Sequence, residues 1–242
     1  MANPPVPRAA AQGSFPRPSV AVDLVILTAD GGAPNVAADT LSVLLIRRGE
    51  PPFLGRWALP GGFLRVGAGD VGGESLEQAA QRELTEETGL RARDVYLEQL
   101  GAFGAPERDP RTRVVSVAYY ALVRPTLTGS VRAGGDASAA CWRDARAPGR
   151  LAFDHAEMLQ ATLRRIEERL GVSAVIEHLL SEQFTINELR RVHEIVTGAA
   201  LDAGNFRRKV QAMLTAGVLE ATAEQRATRS KPAALYRFTQ SR

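Results

Sequence analysis

Between Ser75 and Leu90 the chain encodes one helix with both ends marked, and the character of its inner face changes partway along. Ser75 followed three residues later by Gln78 is a capping box, and Gly89 stands where a left-handed residue closes a helix. Leu76, Ala79 and Ala80 fall on the same arc, about 100° wide, as Glu83, Glu86 and Glu87. A stripe that begins as core therefore continues as carboxylate, whereas acids on a solvated face would lie opposite it. Convergent carboxylates are hard oxygen ligands, suited to Mg²⁺ or Mn²⁺. For Glu86 and Glu87 alone a solvated pair is the ordinary reading; the joint pattern points to a metal site.

The elements around this helix alternate in type. Val20–Thr28 and Leu41–Arg47 read as strands, with Asp30-Gly31-Gly32-Ala33-Pro34 as a hairpin loop between them. Trp57–Gly62 reads as a strand end and turn, and Val95–Phe103 and Arg113–Val123 as further strands. The last is apolar on both faces and predicts a central strand. After Phe153 the period becomes helical, with Leu159, Leu163, Ile166 and Leu170 forming the apolar stripe of a helix over 156–170. Residues 1–17, rich in Pro and Ala, predict a disordered tail. No apolar run approaches 18 residues, so neither a membrane span nor a signal peptide is expected. One cysteine, Cys141, forms no internal disulfide; beside Trp142 it reads as packed core in a protein of the reducing cytoplasm.

Charge divides the chain. Residues 1–170 carry 20 basic and 20 acidic side chains, whereas residues 207–242 carry eight basic and two acidic. Over that C-terminal part three helices are expected, at Val172–Leu180, Ile186–Val196 and Asp202–Ala216. Thr185 with Glu188 caps the second, and Gly198 and Gly217 follow the second and third. Strands Val218–Ala221 and Leu235–Thr239 then flank a basic loop. Three helices and a hairpin make a winged helix-turn-helix. Its third helix carries Asn205, Arg207, Arg208 and Lys209, and its wing Arg226, Arg229 and Lys231, residue types that read base edges or bind phosphates of double-stranded DNA. Val210, Met213 and Leu214 face inward. A dimerisation or peptide-binding module with a basic surface is the alternative. The expected organisation is a tail at 1–17, a first domain at 18–155, a linker helix at 156–171 and a winged helix-turn-helix at 172–242.

The stretch Arg82-Glu83-Leu84-Thr85-Glu86-Glu87-Thr88-Gly89-Leu90, with Glu74 seven residues before Arg82, resembles the box of the Nudix family. That resemblance implies a mixed-sheet α/β/α sandwich, so the whole chain is expected to be α/β (α+β). It implies Glu83, Glu86 and Glu87 as metal ligands, Glu74 as a secondary one, and Arg82 as the residue that orients them. The spacing departs from the family in one place: eleven residues rather than five separate Gly62 from Glu74, the surplus being the glycine-rich run Gly67–Gly73. A loop of this length can still close over a ligand, since doubling its length costs only about 0.6 kcal/mol of closure entropy; it can equally mark a site no longer selected for hydrolysis.

The chain from Val20 to Phe238 further resembles the Nudix-related transcriptional regulators of NAD metabolism called NrtR. The resemblance rests on Trp57–Phe63, Arg108-Asp109-Pro110-Arg111, Ala152-Phe153-Asp154-His155, Phe184–Arg190, Asn205–Lys209 and Lys231–Tyr236. It implies a repressor that acts as a dimer and responds to ADP-ribose. For the effector pocket Arg56, Arg108, Arg111 and Arg113 are the pyrophosphate candidates, because a guanidinium fork matches phosphate oxygens. Phe153 and Tyr119 are candidates to stack on adenine, with core packing as their ordinary alternative. His155 is either a base or a structural helix-start residue. The competing expectation is an active ADP-ribose pyrophosphatase, with Glu86 or Glu87 as general base and the C-terminal module serving only for oligomerisation; a third expectation combines both activities.

Overall fold

A computed structural model describes residues 16–29, 36–67, 72–131, 134, 137–169, 175–227 and 231–239. The tail up to Phe15, the loop Asp30–Pro34, most of the glycine-rich run and Arg229 lie outside them.

Among the described residues, nine strands and four α-helices follow one another as β1 (Ser19–Thr28), β2 (Ser42–Arg48), β3 (Trp57–Ala58), β4 (Gly61–Phe63), α1 (Leu76–Thr88), β5 (Tyr96–Phe103), β6 (Val114–Leu122), β7 (Ala137–Asp144), α2 (His155–Arg169), α3 (Ile186–Thr197), α4 (Ala203–Thr215), β8 (Leu219–Arg226) and β9 (Ala233–Phe238). The first seven strands form one mixed sheet, ordered β3-β2-β1-β6-β5, with β4 also paired to β1 and β7 to β2. β1 and β6 run parallel and sit inside the sheet, which is why both are apolar on two faces.

Alternate residues of β1 feed two cores. Val22, Leu24 and Ile26 pack with Ala79, Ala80 and Leu84 of α1, whereas Val25 and Leu27 pack with Met158, Leu159 and Ile166 of α2. The helices therefore cover opposite faces, an α/β/α sandwich. α1 begins at the expected capping box and ends at Gly89 in the left-handed region, φ 75°. α3 repeats the device with Thr185, Glu188 and Gly198, and Asp202 caps α4.

The second module is built from α3, α4 and the β8–β9 hairpin. Its core residues Leu189, Val192, Phe206, Val210 and Leu219 belong to the same apolar cluster as the α2 face of the sheet. The helix at 155–169 is thus more than a charged connector, since its buried side is part of that shared core.

Three expectations are corrected. Ala137–Asp144 is a strand the sequence did not announce, because its small residues have weak strand propensity and β2 supplies the pairing. The helix expected at Val172–Leu180 is, within the described residues, a short 3₁₀ turn at Ile176–Leu179. The wing strands run past Ala221 to Arg226, with a register shift between Ala221 and Gln225. No helix among the described residues is long and apolar enough to cross a membrane.

Candidate functional site

A cleft of about 500 Å³ opens between α1, the β3–β4 turn and the ends of β1, β2 and β6. Its first wall is made by two glycines. A Cβ on Gly62 would lie 2.2 Å from Glu83 Oε1, and one on Gly61 would lie 2.3 Å from the Val22 carbonyl oxygen. Only a bare backbone lets the turn sit between the sheet and α1. The Gly61 amide donates to Glu87 Oε2 at 2.8 Å, tying the helix to the turn.

Arg82 organises the remaining carboxylates. Its guanidinium donates twice to Glu74, at 2.6 and 2.9 Å, and through Nη1 to Glu83 at 2.5 Å and Glu86 at 3.0 Å. Arg65 donates to Glu86 at 3.0 Å, and its amide to Glu74 at 2.7 Å. The Arg82 fork holds the Glu74 carboxyl well below its ordinary value, at about 2. Burial pushes Glu83 up despite the same arginine. Glu83 and Glu87 are buried, whereas the Glu86 side chain is 44% exposed.

The expected metal-ligand carboxylates are brought to one cleft, where arginines and a backbone amide hold them. Among the described residues no three acidic, histidine or cysteine side chains gather as ligands about one point. Glu74, Glu83, Glu86 and Glu87 share the cleft region, but their oxygens meet Arg82, Arg65 and the Gly61 amide instead. The donor atoms suit a hard cation, and Glu83, Glu86 and Glu87 with Glu74 are the residues that would hold one.

At the cleft floor lies a buried polar knot that sequence reasoning missed in part. Arg108 donates bidentately to Asp154 at 2.8 and 2.9 Å, and to Asp23 at 3.2 Å. Ser116 Oγ donates to Asp23 at 2.5 Å. Burial pushes the Asp23 carboxyl up, but His155, Ser116 and Arg108 together pull it below its ordinary value. Burial also opposes the Arg108 charge, and Asp154 and Asp23 more than restore it. His155 Nδ1 accepts from the Leu59 amide at 2.8 Å, so its proton lies on Nε2, 3.4 Å from Asp23 Oδ1. With both nitrogens engaged, His155 positions the β3–β4 segment rather than serving as a free base. The signal for Asp23 was available: one acid inside the apolar run Val20–Thr28.

The mouth is aromatic and basic. Arg111 is held by Asp109 at 2.7 and 3.0 Å, and its guanidinium lies 5.4 Å from the Phe63 ring and 6.0 Å from that of Phe153. Phe153 meets Phe53 edge-on at 4.8 Å, and Arg48 lies 4.9 Å from its ring centre. Arg48, Arg65, Phe63 and Asp109 line the cleft though none was nominated for the pocket. Of those that were, Arg108, Arg111 and Phe153 line it; Arg56, Arg113 and Tyr119 do not. Tyr119 is buried on the α1 side with its hydroxyl bonded to Gln99, Arg56 lies against Phe53, and Arg113 is exposed beyond the rim.

In the second module Asn205, Arg207, Arg208 and Lys209 are all exposed on α4, while Phe206 and Val210 are buried. Arg226 pairs with Glu188 and donates to the Gln183 carbonyl, tying β8 to the start of α3. Lys231 is exposed.

A mixed sheet between helices, with a box helix over a nucleotide-sized cleft and a winged helix sharing its core, defines a ligand-binding domain fused to a DNA-binding one. The NUDIX domain model matches residues 17–162, and the NrtR DNA-binding winged helix domain model matches residues 176–238. The ADPR responsive transcriptional repressor NtrR of Acinetobacter baylyi is 33% identical over 94% of this chain and 84% of its own length. The crystal structure of Shewanella oneidensis NrtR complexed with a 27mer DNA is 34% identical, covers 91% of this chain and 93% of that one, and superposes with a TM-score of 0.72. An ADP-ribose pyrophosphatase of Methanocaldococcus jannaschii is 38% identical over 136 residues, 54% of this chain and 74% of that protein. The chain belongs to the NrtR family of Nudix-related transcriptional regulators.

Proposed function

We propose that the chain is a DNA-binding transcriptional repressor of NAD metabolism genes, released from its operator by ADP-ribose. One observation carries the reading: the arginine-lined cleft and the basic helix α4 belong to modules that share one apolar core. Within the cleft, Arg111 and Arg108 offer guanidinium edges to a pyrophosphate, and Phe153 with Phe63 offers faces for adenine. The Nudix unit at 18–155, helix 156–171 and winged helix at 172–242 act as effector domain, link and DNA-binding domain. A cytoplasmic homodimer with a two-part operator is the assembly this reading requires.

Coupling has a physical route. β2 ends at the cleft with Arg48 and begins beside β7, where Ser42 opposes Asp144. Just beyond, Arg146 donates to the Ile195 and Val196 carbonyls at 2.9 and 2.6 Å, at the C-terminal end of α3. A ligand that moves β2 would displace that contact. Release requires ADP-ribose to prefer the DNA-incompetent arrangement, typically by about 1–3 kcal/mol, and DNA then weakens ADP-ribose binding by the same factor. The test is titration of ADP-ribose against the protein bound to fluorescent DNA from upstream of its own operon, at fixed salt, with AMP as anionic comparison. ADP-ribose should release the DNA, AMP should not, and Arg111→Ala should blunt release without weakening DNA binding. Release by AMP to the same extent, or none by saturating ADP-ribose, would sink the sensor reading.

The similarity to an ADP-ribose pyrophosphatase favours a second reading, hydrolysis of ADP-ribose to AMP and ribose 5-phosphate. It needs Mg²⁺ or Mn²⁺, and Arg65 and Arg82 would have to yield carboxylate oxygens to the ion. Absence of AMP after long incubation at high protein concentration with either metal would exclude it.

A further inference from the structure

We propose that Arg208 and Asn205 form one base-reading unit, whereas Arg207 and Lys209 contact phosphates. This rests on the DNA-binding reading of the winged helix and divides its basic residues by geometry. Phe206, Val210, Met213 and Leu214 define the inward side of α4, the first two buried and the others half-buried. At 100° per residue, Arg208 lies almost diametrically opposite the centre of that stripe. Asn205 and Ala212 continue the same ridge at three residues before and four after, and both are exposed. Arg207 and Lys209 project from opposite flanks, each roughly 80° from the stripe's centre.

A helix about 10–12 Å across nearly fills a major groove about 12 Å wide. Its outermost ridge then meets the base edges, and its flanks meet the two phosphate backbones. Arg208 is also prepared for the floor: its Nη2 donates to Asn205 Oδ1. That bond fixes the guanidinium plane and leaves its other N–H groups to donate to a guanine O6 and N7. The Asn205 amide nitrogen remains free to donate to an acceptor on a neighbouring base. Ala212 adds a methyl-sized contact fitting a thymine methyl. No carboxylate among the described residues pairs with Arg207, Arg208 or Lys209, so none of the three is held back by an acid on its own surface. Arg226 stands outside the set because Glu188 and the Gln183 carbonyl hold it.

Selection of duplexes from a random-sequence library by the full chain supplies the probe, and binding of the selected duplex is then measured over a range of salt. Arg208→Ala and Arg208→Lys should both lose discrimination at one guanine-containing base pair by about tenfold or more. The lysine variant should keep the salt slope, separating lost recognition from lost charge. Arg207→Ala and Lys209→Ala should weaken selected and scrambled duplexes alike and reduce the slope of log K against log salt by about one unit each. Asn205→Ala should lower discrimination at the same base pair as Arg208→Ala, with less than additive loss in the double variant. Discrimination that survives in Arg208→Lys, or that is lost in Arg207→Ala at unchanged salt slope, would overturn the division. Enrichment of no duplex by the unaltered chain would overturn the DNA-binding reading itself, a distinguishable outcome.

Discussion

Arginines crowd both the ligand cleft and helix α4, and the two settings use them in opposite ways. In the cleft, Arg65, Arg82, Arg108 and Arg111 each meet a carboxylate of the same protein, at 2.5–3.0 Å for the closest partner of each. On α4, Arg207, Arg208 and Lys209 meet none among the described residues. Paired charges hold a shape and carry little net field, so the cleft is preorganised for a small anion that fits its remaining donors. Unpaired exposed charges contribute little to the fold and attract a polyanion over distance. The same residue type thus serves architecture in one place and association in the other.

The sharpest way to break this contrast is Arg108→Leu. The Arg108 side chain is 3% exposed, and its loss leaves Asp23 and Asp154 facing each other without a cation. Removing one partner of such a buried group typically costs about 3–5 kcal/mol. Urea unfolding should show that loss even without ligand. A change below about 1 kcal/mol would mean that the knot is not structural.

Arg82→Met should cost less, about 1–3 kcal/mol, because its partners Glu74 and Glu86 retain some access to water. Here pH supplies a second readout. The folded Glu74 carboxyl, at about 2, lies below its ordinary value of 4.5, so unfolding takes up a proton in the interval between them. Its stabilisation is complete above about pH 4.5 and is lost as pH falls toward about 2. The stability gap between the original chain and Arg82→Met should narrow across that window. A gap independent of pH would show that Arg82 acts through packing rather than through Glu74.

What the sequence made legible follows from range. Local signals held: the capping boxes at Ser75 and Thr185 and the left-handed closures at Gly89 and Gly198 all appear where spacing predicts them. Carboxylate placement on α1 was legible for the same reason, since a helix fixes its own faces. The distant partners were not, although Arg82, on the same helix, was expected to orient these carboxylates. That Arg65 also reaches Glu86 depends on a loop folding back onto α1, and that Asp23 meets Arg108 depends on contacts 85 residues apart in sequence. Strand β7 escaped because pairing with β2, rather than propensity, makes it a strand. Tyr119 was misplaced because neighbours on a strand point to opposite faces, and which face met the cleft was set by the topology; Arg113 precedes β6 and is exposed.

The smallest expected effect lies on α4, where it tests the other half of the comparison. Arg207 and Lys209 are exposed, outside the core stripe and without a carboxylate partner among the described residues. Substitution of either by alanine removes no buried contact, and alanine is the better helix former by a few tenths of a kcal/mol at most. The unfolding free energy should therefore shift by no more than about 0.5 kcal/mol, within the range of ordinary surface changes. The measurement is urea unfolding of Arg207→Ala, Lys209→Ala and the double variant at low and moderate salt. If these side chains repel one another, the double variant gains a little stability at low salt, and the gain fades as salt screens it. A loss above about 1 kcal/mol in either single variant would place that residue among the fold's own interactions and remove the distinction between the two arginine-rich surfaces.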